Sequence, residues 1–539
     1  MIKLYKSVYL LMCLCLSFTV MAQDISIEST PLEISECSDG FVAHTLPHTT
    51  AVNQLPVRLY ESNGSGLAIN DLNNDGLLDI VLANLDAPET ILWNEGDLQF
   101  RSQILDIPGR TRAVVILDID VDGWRDIVFT SQRGAPSIWQ SQQDETFELL
   151  AFPTLSEPAY SMNWADLDND GDLDLVTGSY DAELERISTN DALFSGGAGV
   201  YYYENQDGAF TKTRLADRAQ ALAILLTDIT GDGQPEIAVG NDFAELDRYW
   251  TREDDTWQEI TPFSIMTHST MSFDISDFDN DGKTEIFATD MHPYSDDEET
   301  TAAWQPVMED MMAVPMLEGD PQVMLNTLQS AQSGDYENVS AALGIDFSGW
   351  SWSSKFGDLD SDGYEDLYIV NGMIAEELFS HLPDNELIEE NQVFQNQAGE
   401  GFVTVPGWNL NSTASGRGMS MADLDNDGDL DIVVNNLLSP AQLYENQVCG
   451  GANLTVTIQQ PETLNPDAIG TSLILHTSIG TYRRELWAAS GYLSGDAAQI
   501  HFGLPDDSEI DYLELIFPDG ERFEITEVTQ NTHFQITRP

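Results

Sequence analysis

Seven short acidic segments carry the residues best suited to chemistry. Each reads Asp-x-(Asp/Asn/Thr)-x-Asp-Gly-x-x-(Asp/Glu), with side-chain oxygens at positions 1, 3, 5 and 9. The first four sets are Asp71, Asn73, Asp75 and Asp79; Asp118, Asp120, Asp122 and Asp126; Asp166, Asp168, Asp170 and Asp174; and Asp228, Thr230, Asp232 and Glu236. The last three are Asp277, Asp279, Asp281 and Glu285; Asp358, Asp360, Asp362 and Asp366; and Asp423, Asp425, Asp427 and Asp431. In a tight loop this spacing brings the carboxylates toward one point, and glycine at position 6 permits the turn. A flexible, all-oxygen cage suits Ca2+ better than Mg2+, which demands a rigid octahedron. Up to seven Ca2+ ions are therefore the expected cofactors. Asn73 and Thr230 replace Asp at position 3, so the first and fourth sites are expected to be weakest.

An EF-hand shares the first six positions but needs a bidentate Glu at position 12 between two helices. Position 12 here is Leu82, Phe129, Thr177, Val239, Ala288, Ile369 or Val434, which excludes that reading. A strand-like run follows each loop at once, as in IVLAN, IVFTS and IVVNN, and a short, often alternating segment precedes it. The local unit is strand, acidic loop, strand.

A second hairpin recurs in register with the first. A polar residue behind an apolar pair falls at one offset in four copies, at Asn94, Ser141, Thr251 and Asn446. In the third, fifth and sixth copies the equivalents come later, at Asn205, Asn326 and Asn396. Two hairpins per repeat make a four-stranded blade, and seven blades close a ring. The delayed registers expose insertions around 180–200, 291–320 and 371–391, all between the second and third strands. They are expected on the face opposite the acidic loops, and loops elaborated on a rigid scaffold are where binding concentrates.

Ring closure is legible as well. The seventh repeat stops at Asn446-Gln447-Val448-Cys449 without a fourth strand, and Cys37-Ser38-Asp39-Gly40-Phe41-Val42-Ala43 supplies the missing piece. Joined, they match the pattern of NQDGAFTKT at 205–213. The N-terminal strand is expected to complete the seventh blade, with a Cys37–Cys449 disulfide across the split turn. Two unrelated thiols are the alternative.

The chain of 539 residues holds 21 Lys+Arg against 92 Asp+Glu, a formal charge of −71. That excludes nucleic-acid binding by phosphate neutralisation and opposes docking on anionic lipid. Lys3 and Lys6, the apolar stretch Val8 to Val20, and Val20-Met21-Ala22 read as a signal peptide over 1–22, too short to span a bilayer. Export to the periplasm, cell surface or medium follows, in a compartment that permits disulfides. No other segment reads as a membrane span. The expected class is all-β: a seven-bladed β-propeller over 23–449 and a small all-β C-terminal domain over 450–539.

The loops resemble FG-GAP (VCBS) repeats, as in the integrin alpha-subunit propeller. The tail resembles the ASPIC/UnbV domain through NPDAIGTSLIL (465–475), SGYLSGDAAQIHFGLPDDSEID (490–511) and LELIFPDGE (513–521). Together they resemble bacterial relatives of cartilage acidic protein. Gly470-Thr471-Ser472 stands where that pattern has Gly-Ala-Arg, and Phe517-Pro518-Asp519-Gly520 where it has Trp-Pro-Ser-Gly.

No nucleophile elbow, phosphate-binding glycine loop or zinc HExxH motif is present, so no catalytic residue is assigned. His268, Asp290 and His292 flank one hairpin of the fifth repeat and suit a transition metal or a ligand; a polar turn is the alternative. Met308, Met311, Met312 and Met316 fit a copper site or, at helical spacing, an amphipathic helix. Trp350 and Trp352 suit sugar stacking or ordinary strand packing. The reading is a calcium-binding scaffold for a protein or glycan ligand. The alternative is a polysaccharide lyase or glycoside hydrolase on the same propeller. Sequence leaves oligomeric state open.

Overall fold

The computed structural model describes residues 25–33, 37–107, 110–150, 154–187, 198–206, 208–243, 245–312, 319–332, 334–505 and 508–539. The expected signal peptide lies outside the described residues. Among those described, no helix is long and apolar enough to cross a membrane.

The seven loops each join the first two strands of a four-stranded antiparallel unit, to which the sixth adds the two-residue strand Met291–His292. The first unit is Leu67–Asn70, Asp79–Leu82, Glu89–Asn94 and Phe100–Leu105, and the second runs from Thr111–Leu117 to Phe147–Leu150. The third and fourth units begin at Ser161–Ala165 and Ala221–Thr227, the fifth at Phe273–Ser276, the sixth at Gly349–Gly357 and the seventh at Gly416–Ala422. Neighbouring first strands touch in this order, and that of the seventh unit meets that of the first, so the assembly is a closed propeller.

Packing explains why the inner strands do not alternate in polarity. Leu67–Asn70 and Thr111–Leu117 are buried at every position because each sheet is covered on both faces by its neighbours. Ala68, Val81 and Trp93 face Val114, Ile116 and Phe129 of the second unit, while Leu67, Ile69 and Ile80 face Leu424, Val433 and Leu443 of the seventh. Only outer strands such as Thr211–Ala216 meet solvent along most of their length.

The seventh unit contributes three strands, and Val42–Thr49 supplies the fourth by pairing with Pro440–Glu445. Cys37 and Cys449 form a disulfide beside this joint, with Cα atoms 5.0 Å apart. Both features match the split-turn reading.

The C-terminal region forms two four-stranded sheets. One combines Ala452–Gln459, Ile500–Leu504 and Thr532–Thr537 with Ser26–Pro31, which pairs antiparallel with Thr532–Thr537. The N-terminus therefore lends a strand to the C-terminal domain, outside the 450–539 span read from sequence. Ser26–Pro31 is exposed at all six positions, so its sequence carries no apolar alternation to announce it.

Helices Asp181–Ile187, Glu298–Met312 and Glu376–Phe379 arise from the three insertions. Glu183 of the first meets Arg112, at the start of its strand, and Gln132, beyond the end of the neighbouring one. Both positions lie at the strand ends remote from the acidic loops.

Candidate functional site: the acidic loops and their cap

Local backbone geometry builds the loops. Position 6 has positive φ in all seven, from 86° at Gly282 to 103° at Gly428, which glycine adopts without strain. Position 4 is also left-handed, at Asn74, Val121, Asn169, Gly231, Asn280, Ser361 and Asn426. Asparagine tolerates that conformation best among residues with a side chain, a signal that sequence reading overlooked.

The sixth loop shows the division of labour. Asp358 accepts the Asp362 and Gly363 N–H groups at 3.0 and 2.8 Å, closing the turn from inside. Asp366 accepts Leu359 N–H at 3.0 Å and Asn396 N–H at 2.8 Å, so position 9 ties the loop to both hairpins. The same pair of bonds reaches Asp79 from Leu72 and Asn94, Asp174 from Leu167 and Asn205, and Asp431 from Leu424 and Asn446. This is the purpose of the polar residue behind the apolar pair. Its side chain also reaches the neighbouring unit: the amides of Asn94, Asn396 and Asn446 donate to the carbonyls of Leu424, Phe278 and Leu359.

Asn326 is not the fifth-unit equivalent. Strand Thr327–Gln332 sets Ile286 opposite Gln329, and Ser330 Oγ donates to Glu285 at 3.1 Å. Thr251 does the same for Glu236 at 2.8 Å, because glutamate reaches one methylene further than aspartate. Asn326 instead accepts Asp290 N–H and donates to Ser348.

Five loops gather three carboxylates whose oxygens lie within 4.8 Å of one another: Asp118, Asp120 and Asp122; Asp166, Asp168 and Asp170; Asp277, Asp279 and Glu285; Asp358, Asp360 and Asp366; and Asp423, Asp425 and Asp427. Asp166 Oδ1, Glu285 Oε2, Asp360 Oδ1 and both Asp423 oxygens are buried without a hydrogen-bond partner. Buried carboxylate oxygens without donors require a proton or a cation. Hard oxygen donors with no nitrogen or sulfur among them fit calcium. In the first loop Asn73 donates to Asp75 at 3.0 Å, and in the fourth Thr230 Oγ1 donates to Glu236 at 3.3 Å. Position 3 there donates a hydrogen bond within the loop.

Burial, with the neighbouring carboxylates adding to it, raises the loop acids. Asp79, Asp174 and Glu285 are pushed up to about 8, Asp126 and Asp277 to about 7, and Asp118, Asp166 and Asp362 to about 6. A divalent cation would remove the reason for the shift by favouring the ionised form.

The other candidate residues serve packing and turn geometry. Asp290 is buried, and its oxygens accept the N–H groups of His268, Ser269 and Met291. His268 Nδ1 meets Ser269 Oγ at 3.2 Å, and His292 Nδ1 donates to the Pro293 carbonyl at 3.0 Å. That is a polar turn. Trp350 stacks on Trp304 and packs edge-on to Phe379, leaving 4% of its surface exposed. Trp352 donates to Gly372 O at 2.8 Å and lies under Arg417, leaving neither indole a face for a sugar. Met308 and Met311 pack on the core, as an amphipathic helix requires; Met316 lies outside the described residues, and the Met312 side chain is not described.

The FG-GAP-like repeat model matches residues 71–129, 118–177, 228–288 and 377–434, and the ASPIC and UnbV model matches 461–539. The chain carries FG-GAP-like repeats and a C-terminal ASPIC and UnbV domain. A comparison with curated proteins gives no match. Similar solved structures include BBS1N in complex with ARL6DN, at 9% identity and a TM-score of 0.40, covering 71% of this chain and 94% of that one. YCF48 bound to D1 peptide is 8% identical with a TM-score of 0.41, covering 77% and 97%.

The ASPIC and UnbV domain sits on the face that carries the acidic loops. Arg125 of the second loop pairs with Asp467 at 2.7 Å, Arg484 with Glu365 of the sixth at 3.0 Å, and Gln499 accepts Asp423 N–H of the seventh at 3.1 Å. From this base, residues 488–496 enter the ring centre. Gly491 N–H donates to Phe273 O, Asn163 donates to Ala489 O, and Met419 N–H donates to Ser494 Oγ. Lys355 meets Ser490 and Asp496. Gly495 pairs with Ala68 and Ser494 with Val114, so the inserted segment joins the first and second units into one sheet. Tyr492 at the tip is fully buried; its hydroxyl lies 2.9 Å from Asn63 O and 3.0 Å from Tyr160 OH. The inner strands make room for it: a Cβ at Gly66 would stand 1.8 Å from Leu493 O. Sequence gave SGYLSGD a family resemblance but no role.

Proposed function

We propose that this protein is an exported, calcium-stabilised propeller that binds a protein or glycan ligand on the face bearing the three insertions. One observation carries the reading. The ASPIC and UnbV domain covers the acidic-loop face and fills the ring centre, which leaves the insertion face as the open one. That face is braced by Arg58 and Arg186, both paired with Glu377, which tie the insertion helices together. Beside them lies a groove of about 870 Å³ lined by Leu55, Val57, Ile374, Leu437, Leu438 and Thr413. Leu55 is 72% exposed and Leu438 40% exposed, so apolar surface stands ready for a partner. A net charge of −71 favours a neutral or basic ligand.

Calcium in this reading is structural, held most tightly by the five loops that converge three carboxylates and most weakly by those with Asn73 and Thr230. The disulfide and the N-terminal sequence support export. The test is capture from a glycan array and an extracellular proteome by full-length protein, in calcium and in chelator. Leu438→Glu serves as the face control. Selective capture that weakens at least tenfold in the variant supports the proposal; capture that ignores the substitution sinks it.

A further inference from the structure

The seventh loop differs from the others in charge, and it shares with the sixth, whose Asp358 is also 1% exposed, a cover formed by the C-terminal domain. Asp423, Asp425, Asp427, Asp429 and Asp431 alternate along it; position 7 is acidic elsewhere only in the third loop, at Asp172. In the first, second and sixth loops the opening aspartate accepts two N–H groups from its own turn. Asp423 is 1% exposed, yet neither of its oxygens has a hydrogen-bond partner, and Asp429 Oδ1 also lacks one. The Asp423, Asp425 and Asp427 oxygens converge within 4.8 Å. An unpaired carboxylate at such depth is tolerated when a cation shares its site.

Two segments from opposite ends of the chain close over this loop. Gln499 holds Asp423 N–H, and a Cβ on Gly428 would stand 2.5 Å from Leu32 Cδ1 and 3.1 Å from Asn453 Cβ. Asn453 in turn meets His501 Nε2 at 3.1 Å, and Glu33 N–H donates to Asn426 O at 3.3 Å. Leu32 and Glu33 directly follow the strand that the N-terminus lends to the ASPIC and UnbV domain. By contrast Asp75, Asp120 and Asp122 of the first two loops face solvent.

We propose that the seventh loop is an enclosed divalent-cation site that locks the ASPIC and UnbV domain to the propeller. This rests on the calcium reading of the loops and adds a kinetic consequence. Calcium at Asp423, Asp425 and Asp427 leaves only when the lid of Leu32, Asn453 and Gln499 lifts. The protein therefore holds a rapidly exchanging class of calcium and a slow class that includes the seventh-loop ion, and loss of that ion frees residues 488–503.

The experiment mixes calcium-loaded full-length protein with a fluorescent chelator in stopped flow, while hydrogen exchange is followed at 488–503. The expected result is a slow phase of one or two ions per chain, at least tenfold slower than the rest, with exchange at 488–503 rising on that slow timescale. Asp423→Asn removes one ion from the slow phase. Asn453→Ala and Gln499→Ala keep its amplitude and accelerate it severalfold, and they decide the matter should Asp423→Asn fail to fold. Release of all calcium in one fast phase overturns the lock while leaving calcium binding intact. A slow phase that ignores the lid substitutions overturns it too. Failure to bind any calcium overturns the calcium reading along with it.

Discussion

Tyr492 concentrates the grip of the C-terminal domain on the propeller in one side chain. It fills the ring centre beside Trp352, with ring centroids 5.2 Å apart, and its hydroxyl bridges Asn63 and Tyr160 from different units. Tyr492→Phe keeps the volume and strands two polar partners, costing about 1–3 kcal/mol. Tyr492→Ala adds a cavity and costs about 3–5 kcal/mol. Urea denaturation of the two variants checks the order; equal losses would mean that the hydroxyl carries the whole effect. At this scale the acidic positions were legible because their convergence is local to nine residues. Tyr492 was not, because its partners lie far away in sequence and nothing local distinguishes a tyrosine that fills a channel from one that packs a strand. For Trp350 and Trp352 sequence left sugar stacking beside strand packing, and burial by Trp304, Phe379 and Arg417, a tertiary fact, decides for packing. Asn326 was misassigned because an insertion hides the start of strand Thr327–Gln332, and only pairing with Glu285–Ala288 fixes the register.

Between elements, the decisive joint is the one where Val42–Thr49 closes the seventh unit. Its strand was legible because a Gly-aromatic segment was missing at one end of the repeat array and present at the other. The borrowed edge strand Ser26–Pro31 was not, since an exposed edge needs no apolar face. The Cys37–Cys449 bond closes a loop of 412 residues in sequence separation, so reducing it releases a large constraint on the unfolded chain. Replacing both cysteines by serine is expected to cost about 2–5 kcal/mol in this chain-entropy account. The check is thermal unfolding with and without reductant: the native protein should lose stability in reductant, and the double variant should be indifferent to it. If the native protein melts alike in both, the joint is held by strand pairing alone.

Across the whole molecule, calcium and pH act on the same carboxylates, and the sign of their coupling is a test. The loop acids have folded-state pKa values of about 6 for Asp118 and Asp166, about 7 for Asp126 and Asp277, and about 8 for Asp79 and Asp174, raised chiefly by burial. An acid raised on folding binds its proton more tightly in the folded state. Without metal, its contribution is complete below the unfolded value near 4 and is lost as pH rises through 6 to 8. Buried histidines oppose this at lower pH: His48 is lowered to about 4 and His501 to about 3 by burial, so they destabilise the fold only as pH falls below 6.5. Between pH 8 and 6.5 the carboxylates therefore act nearly alone. In chelator the melting temperature is expected to rise as pH is lowered through that window. In millimolar calcium the ionised loops are the stable ones, so the melting temperature starts higher and stays level or declines as protons displace the ion. Thermal melts at three pH values under both conditions suffice. Equal pH slopes with and without calcium would separate the titrating carboxylates from the metal loops, and an unchanged melt in chelator would leave the ring held by its interunit packing and its plug.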